Sequence, residues 1–70
     1  MTDIKITTEE ITLGQFLKYA DVITSGGDIK WFLSEYEIHV NGKLENRRGK
    51  KLYPGDMIAI QNIGIFKIVH

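Results

Sequence analysis

The chain has 70 residues and a mass of 8.0 kDa, which is about the size of one small domain, residues 1 to 70. Hydrophobic residues make up 43% of it and charged residues 26%, so we expect a folded globular chain rather than disorder or a fibrous repeat. A core of this size leaves little room for a deep, enclosed substrate cavity. Nine basic and nine acidic residues cancel, so net charge alone does not indicate a nucleic-acid partner.

Charge is distributed unevenly along the chain. Residues 1 to 29 contain two basic and five acidic residues, a net charge of −3, whereas residues 41 to 51 contain five basic residues and one acidic residue, a net charge of +4. The basic residues of the second segment are Lys43, Arg47, Arg48, Lys50 and Lys51. A short segment with this excess of positive charge is a candidate site for a phosphate-bearing partner.

The absence of cysteine excludes disulfides, zinc fingers and thiol nucleophiles, and it fits a reducing compartment, so we expect a cytoplasmic protein. No apolar run approaches the roughly 18 residues that span a bilayer. The N-terminal residues lack the basic start and apolar centre of a signal peptide. We therefore expect neither secretion nor a membrane partner.

Two helices are predicted in the first half. Residues 3 to 7 alternate as in a short edge strand, and Thr12-Leu13-Gly14-Gln15 matches a capping box, which predicts a helix over residues 12 to 21. Thr24-Ser25-Gly26-Gly27 combines cap-forming residues with glycines and predicts the start of a second helix over residues 27 to 36. Its buried face is Ile29, Phe32, Leu33 and Tyr36, with Trp31 off that face.

The second half is predicted to be sheet. From residue 37 the hydrophobic period is two, and Asn41-Gly42 is a favoured hairpin turn. Residues 46 to 51 are predicted to form a charged loop, and Tyr53-Pro54-Gly55-Asp56 is predicted to form a reverse turn. Residues 57 to 60 and 63 to 69 are predicted to be strands. The predicted fold class is α+β, with two helices packed on a small, mainly antiparallel sheet built from the Ile38, Met57 and Ile65 regions.

Four stretches between residues 11 and 60 together resemble a known family. They are Ile11-Thr12-Leu13-Gly14-Gln15-Phe16-Leu17, Ser25-Gly26-Gly27, Lys30-Trp31-Phe32-Leu33 and Asn46-Arg47-Arg48-Gly49-Lys50-Lys51-Leu52-Tyr53. The chain resembles the small RNA-binding domain first named for ribosomal small-subunit protein four, here called the S-four domain, and most closely its stand-alone bacterial YaaA-type members. The family-like core covers residues 11 to 60, with a terminal strand on either side.

The resemblance implies an αL-type RNA-binding fold without catalysis or cofactor, in which structured RNA, such as ribosomal RNA, lies across the second helix and the following loop. By position, the RNA-binding residues of the helical part are Lys18, Ser25, Gly26, Gly27, Lys30 and Trp31. Those of the loop are Arg47, Arg48, Lys50 and Lys51, and Lys43 belongs to the same basic segment. We expect a monomer that binds RNA and takes no small-molecule substrate.

The residues support this interpretation on chemical grounds, with an alternative at each position. Ser25-Gly26-Gly27 precedes a helix whose free N–H groups suit phosphate, although Asp28 can cap the same helix. Arg47 and Arg48 offer planar forks that match phosphate oxygens, although a solvated loop would look similar. Trp31 can stack on a base or be buried against the sheet.

Other functional classes find weaker support. The histidines His39 and His70 and the serines Ser25 and Ser34 offer no clear catalytic set, and a metal site at Glu37 and His39 lacks an evident third ligand. A protein-protein adaptor that uses its sheet edge is an alternative. A ubiquitin-like β-grasp sulfur carrier is another, but such a carrier needs a Gly-Gly tail and this sequence ends in Ile68-Val69-His70.

Overall fold

The computed structural model describes residues 1–23 and 28–70. In these residues it contains seven strands and two helices. The strands are β1 (Thr2–Lys5), β2 (Ile11–Thr12), β3 (Ile38–Val40), β4 (Lys43–Leu44), β5 (Lys51–Leu52), β6 (Met57–Ile60) and β7 (Gly64–Val69), and the helices are α1 (Leu13–Tyr19) and α2 (Ile29–Glu35). This combination of strands and helices confirms the predicted α+β class.

The main sheet runs in the order β1-β7-β6-β3-β4 within the described ranges. The β3–β4, β3–β6 and β6–β7 pairs are antiparallel, and only β1 pairs in parallel, alongside β7. The sheet is therefore mainly antiparallel, as predicted. The parallel pair joins two strands from opposite ends of the chain, with every other element between them, which supplies the long connection that parallel strands require.

Helix α1 begins at the predicted capping box. The Gln15 amide donates to Thr12 Oγ1 over 3.2 Å, and the Thr12 amide donates to Gln15 Oε1 over 3.0 Å. The helix ends at Tyr19, two residues before the predicted end. The reason is local, because Asp21 adopts a left-handed conformation with φ of +59° and cannot continue the helix.

Helix α2 is capped by Asp28, whose Oδ1 accepts a hydrogen bond from the Trp31 amide at 3.0 Å. It ends at Glu35 because Tyr36 is extended, although the Tyr36 ring still stacks on Phe32 with centroids 4.4 Å apart. Phe32 is buried and Trp31 is exposed, so the predicted buried face is correct. The predicted cap at residues 24 to 27 lies outside the described residues.

Both predicted turns of the second half form, and they are joined to each other. Asn41 and Gly42 have φ values of +53° and +85°, and Gly55 has a φ of +99°. Asn41 Nδ2 donates to Asp56 Oδ1 over 3.0 Å, and Asn41 Oδ1 accepts from the Met57 amide at 3.0 Å. A single asparagine therefore links the β3–β4 hairpin to the start of β6.

The core lies between the helices and one face of the main sheet. Phe16 of α1 meets Phe66 of β7 edge to face, with ring centroids 5.6 Å apart. Leu17, Ile58 and Ile68 are fully buried beside them. The alternate residues of the strands point away from the helices, so the sheet has an outer face opposite both of them.

A second, two-stranded sheet is the element that sequence reasoning did not predict. Lys51 of β5 pairs with Thr12 of β2, and Leu52 pairs with Ile11, in antiparallel register. The sequence predicts a loop throughout residues 46 to 51, but Lys51 is paired. Strands of two residues are too short to give a period-two pattern, so only the fold reveals this pair.

Candidate nucleic-acid interface

The basic loop, residues 46 to 50, is held by its backbone against the start of α1. The Leu13 amide donates to the Lys50 carbonyl over 2.8 Å, and the Gly14 amide donates to the Arg48 carbonyl over 2.9 Å. Both amides belong to the first turn of the helix, where N–H groups have no partner inside the helix. Because the carbonyl groups point at α1, the position of the loop is set by the helix.

Gly14 permits this close contact. It is buried, and a Cβ atom at this position would lie 3.4 Å from the Arg48 carbonyl oxygen and 3.7 Å from Ile29 Cδ1. Helix α1, helix α2 and the basic loop therefore meet at one residue without a side chain. A long side chain at position 14 would separate them.

Two clefts flank Arg48 where these three elements meet. One, of about 390 Å³, lies between α2 and the basic loop and is lined by Lys30, Leu33, Ser34, Asn46 and Arg48. The other, of about 260 Å³, borders the start of α1 and is lined by Thr12, Gly14, Gln15, Lys18, Ile29, Arg48 and Gly49. We call the two clefts together the helix-side groove. The groove brings together three cations, Lys18, Lys30 and Arg48, from three separate elements.

The charges of the helix-side groove are not neutralised by neighbouring carboxylates. Among residues 1–23 and 28–70, the two ion pairs are Arg47 with Glu45 and Lys51 with Glu10. Lys18, Lys30 and Arg48 take part in neither pair. Their side chains are on exposed residues, so their positive charge is available to an anion in the groove.

The other four basic residues of the predicted site lie in a different hollow. This sheet-side hollow, of about 460 Å³, is lined by four basic residues, by the acidic residues Glu45 and Asp56, and by Val40, Asn41, Leu44 and Tyr53; the basic residues are Lys43, Arg47, Lys50 and Lys51. The predicted basic residues are thus divided into two groups, one beside the helices and one beside β4. Arg47 and Arg48 are adjacent in sequence, yet they line different cavities.

Arg47 is held by Glu45 through two parallel hydrogen bonds. Arg47 Nε donates to Glu45 Oε2 over 2.9 Å, and Arg47 Nη2 donates to Glu45 Oε1 over 3.1 Å. These side-chain hydrogen bonds lower the pKa of Glu45 from 4.5 to about 2, and they raise the pKa of Arg47. The Glu45 side chain is only 12% exposed and that of Arg47 is 72% exposed, so the carboxylate fixes an otherwise free guanidinium.

The predicted site also has two non-basic parts, Trp31 and the segment of residues 25 to 27, and the structure describes only the first of them. Trp31 is 56% exposed, so the alternative in which its ring is buried against the sheet is wrong. Ser25, Gly26 and Gly27 lie outside the described residues. Asp28, the alternative cap, does bind the Trp31 amide and places a carboxylate at that end of α2.

Several residues that line or orient the candidate site are not predicted from the sequence. Gln15, Ile29 and Asn46 line the helix-side groove, and Glu45 orients Arg47. Asn46 and Glu45 could have been included because they adjoin the basic run. Gln15 and Ile29 gave no such signal, since one was assigned to the capping box and the other to the core.

Two further observations concern membrane and metal sites. In the part of the chain that the structure describes, α1 and α2 have seven residues each, and no helix has the length and apolar character needed to cross a bilayer. The same residues contain no group of three His, Cys, Asp or Glu side chains placed to hold a metal ion.

The fold and the sequence together identify the family. The sequence pattern of the S4 domain matches residues 4–69, nearly the whole chain. The chain therefore belongs to the S4 domain family, which confirms the resemblance to the S-four domain noted from the sequence. It is also similar to a Bacillus subtilis (strain 168) protein named "Probable ribosome maturation protein RlbA". The two are 61% identical over 67 residues, which cover 96% of this chain and 94% of that protein.

Proposed function

We propose that the chain is a non-catalytic RNA-binding protein of the cytoplasm that recognises structured RNA, with ribosomal RNA as its target. Membership of the S4 domain family and 61% identity to a protein named for ribosome maturation support this proposal. The proposed interface consists of the helix-side groove, the sheet-side hollow and Trp31. Ser25, Gly26 and Gly27, which precede α2 in the sequence, complete the proposed set.

The observation that carries the proposal is the position of Arg48 between two lysines. Arg48 lines both clefts of the helix-side groove, with Lys30 in one and Lys18 in the other. A guanidinium can bind two phosphate oxygens at once, and each lysine adds a further positive charge. Three cations from separate elements along one groove suit a run of backbone phosphates better than they suit a single small anion.

The sheet-side hollow can bind phosphate through Arg47 and the three lysines, Lys43, Lys50 and Lys51. A guanidinium has five N–H donors, and Glu45 accepts from two of them, one on Nε and one on Nη2. The other three, on Nη1 and Nη2, stay available and have a fixed direction. In this proposal Glu45 orients Arg47 towards RNA rather than competing with RNA for it.

Trp31 adds a contact that does not depend on charge. Its indole ring is exposed on α2, one residue beyond Lys30. Bases stack on exposed aromatic rings with an energy of roughly 1 to 3 kcal/mol per base. Trp31 would therefore bind an unpaired base next to the phosphates that Lys30 and Arg48 hold.

Crosslinking in cells followed by sequencing of the bound RNA tests this function directly. We expect reads from the wild-type chain to concentrate in ribosomal RNA, and the variant Lys30→Ala/Arg48→Ala to lose most of that signal. The matched control is Lys5→Ala/Lys67→Ala, which removes two positive charges from the outer face of the sheet and should keep the signal. No enrichment of RNA for the wild-type chain would contradict the proposal.

The adaptor function remains a second candidate, favoured by one observation. The outer side of the main sheet and its β6–β7 turn carry four exposed aliphatic side chains, Leu44, Met57, Ile63 and Ile65. These residues lie away from the helices, so a protein partner there would leave the helix-side groove free. If crosslinking finds no RNA, this face becomes the leading candidate for function.

A further inference from the structure

A third cleft continues the helix-side groove past α1. It has a volume of about 540 Å³ and lies between α1 and the segment of residues 6 to 11. Its lining includes Ile6, Glu10, Ile11, Gln15, Lys18 and Tyr19. Gln15 and Lys18 also line the cleft beside Arg48, so the clefts adjoin at these two residues, and we call the helix-side groove and the third cleft together the path. None of the other residues of this cleft belongs to the RNA interface proposed above.

The chemistry of the path changes as it passes Lys18. On one side it is lined by Lys30 and Arg48, which suit phosphate. On the other side it is lined by Ile6 and Ile11, by the uncharged polar residues Thr7 and Thr8, and by Tyr19, which is 60% exposed. Glu10 lies there too and would repel a phosphate group. The third cleft therefore suits a flat, uncharged group attached to a phosphate that stays near Lys18.

Polar groups in the third cleft match the edge of a nucleobase. Gln15 Oε1 already accepts from the Thr12 amide at 3.0 Å, so the side-chain NH₂ of Gln15 is the group left to donate. The Glu10 carboxylate is an acceptor, and its pairing with Lys51 is loose, with Glu10 Oε1 3.6 Å from Lys51 Nζ. Donor and acceptor groups beside an exposed aromatic ring are the features with which proteins bind unstacked bases.

We propose that the third cleft binds one unpaired base of the RNA, which stacks on Tyr19 while the phosphate of the same nucleotide contacts Lys18. This inference rests on the proposed RNA-binding function and adds a site to it. The base must be unpaired, because a paired base presents its ring faces to its neighbours and cannot enter a cleft. The target is then structured RNA that carries a bulged or looped-out nucleotide beside a helical stem.

Two synthetic RNA hairpins test the proposal. They share one stem and loop, and one of them carries a single bulged 2-aminopurine nucleotide, whose fluorescence falls when the base stacks. We expect the wild-type chain to bind the bulged hairpin about 5-fold more tightly or better, and to quench its fluorescence. Tyr19→Phe, which keeps the ring, should retain the preference and the quenching.

The variant Tyr19→Ala should lose both the preference and the quenching while it still binds the plain hairpin as the wild-type chain does. Ile65→Ala is the matched control, because it shortens an exposed apolar side chain on the opposite face of the sheet and should change neither measurement. A preference that survives in Tyr19→Ala would overturn the proposal, as would the absence of any preference in the wild-type chain.

Arg48→Ala separates a failure of this inference from a failure of the proposed function. We expect this variant to weaken binding of both hairpins by a similar factor, because it removes phosphate contacts and leaves the third cleft intact. If Arg48→Ala binds both hairpins as tightly as the wild-type chain does, the helix-side groove is not an RNA site. A loss in Arg48→Ala with an unchanged preference in Tyr19→Ala would overturn only the base-binding cleft.

Discussion

The amide of Gly14 donates a hydrogen bond to the carbonyl of Arg48 over 2.9 Å, and this contact fixes the central cation of the groove to the first turn of α1. Arg48 lies in an exposed loop, which would ordinarily give its side chain a variable position. Here the backbone is constrained at the arginine and on its C-terminal side, because the Gly14 and Leu13 amides bind the Arg48 and Lys50 carbonyls and Lys51 pairs with β2. The groove is therefore a property of the fold.

Substitutions at Gly14 should show how closely the loop packs on the helix. Gly14→Ala should stay within about 1 kcal/mol of the wild-type stability, because the new Cβ makes ordinary contact at 3.4 Å and alanine favours helices by up to about 1 kcal/mol. Gly14→Leu should lose roughly 1 to 3 kcal/mol by overpacking and should also weaken RNA binding. Urea unfolding of both variants measures the change in stability. Equal stabilities of the two variants would contradict the close contact.

Asn41 should contribute to stability through both its backbone and its side chain. Asn41→Ala removes hydrogen bonds to Asp56 and Met57 and places alanine at a positive φ, so we expect a loss of about 2 to 3 kcal/mol. Asn41→Gly loses the same hydrogen bonds but tolerates the backbone, and it should recover about 1 kcal/mol of that loss. Denaturant unfolding of both variants checks this order, and a glycine variant no more stable than the alanine variant would contradict it.

The pairing of Glu45 with Arg47 should give a defined pH dependence. The pKa of Glu45 is lowered from 4.5 to about 2 in the folded chain, so its stabilising effect is fully present above pH 4.5 and is lost as the pH falls towards 2. We expect Glu45→Gln to be less stable than the wild-type chain at neutral pH by under about 1 kcal/mol, because Arg47 is exposed.

Thermal unfolding of the wild-type chain and of Glu45→Gln across this pH range measures the effect. The difference between them should shrink as the pH falls from 4.5 and should be lost as the pH passes below about 2. A difference that is constant from neutral pH down to about 2 would show that Glu45 acts by packing and not by its charge. Arg47→Lys is a useful companion, because it keeps the charge but cannot form both hydrogen bonds.

Trp31 should affect affinity without affecting the dependence on salt. Stacking does not displace counterions, so Trp31→Ala should weaken RNA binding about 5-fold or more and leave the salt slope unchanged. Trp31→Phe keeps an aromatic ring and should bind with intermediate affinity. Titrations at several salt concentrations measure both quantities. A changed slope in Trp31→Ala would mean that the substitution disturbs the neighbouring cations.

Local features of the fold could be predicted from the sequence, because each depends on a few adjacent residues. Thr12 and Gln15 form their capping box, and Asn41 and Gly42 form their turn, within four residues of chain. The end of α1 was placed too late because no local pattern shows that Asp21 is left-handed. The pairing of β2 with β5 was missed because it joins residues about 40 positions apart through strands of two residues.

The candidate site was predictable in composition but not in arrangement. The basic segment was evident from its charge, and Lys18 and Lys30 came from the family resemblance. The division of that segment between two cavities was not predictable, because Arg47 and Arg48 are neighbours in sequence and diverge only when the backbone binds α1. The third cleft was not predictable either, because nothing in the sequence distinguishes Tyr19 and Ile11 from ordinary residues of a helix and its flank.

The dependence of RNA affinity on salt tests the central claim most directly. Seven cations line the two proposed cavities, so for the ribosomal RNA fragment recovered by crosslinking we expect a log-log slope of roughly −5 to −6 for the wild-type chain, and a slope smaller in magnitude by about 1.5 to 2 for Arg47→Ala/Arg48→Ala. The stability of that variant should stay within about 1 kcal/mol of the wild-type value, because both side chains are exposed. The control Lys5→Ala/Lys67→Ala should keep the full slope. An unchanged slope and affinity in the double-arginine variant would mean that the basic loop contributes to solubility and does not bind RNA, which would contradict the account.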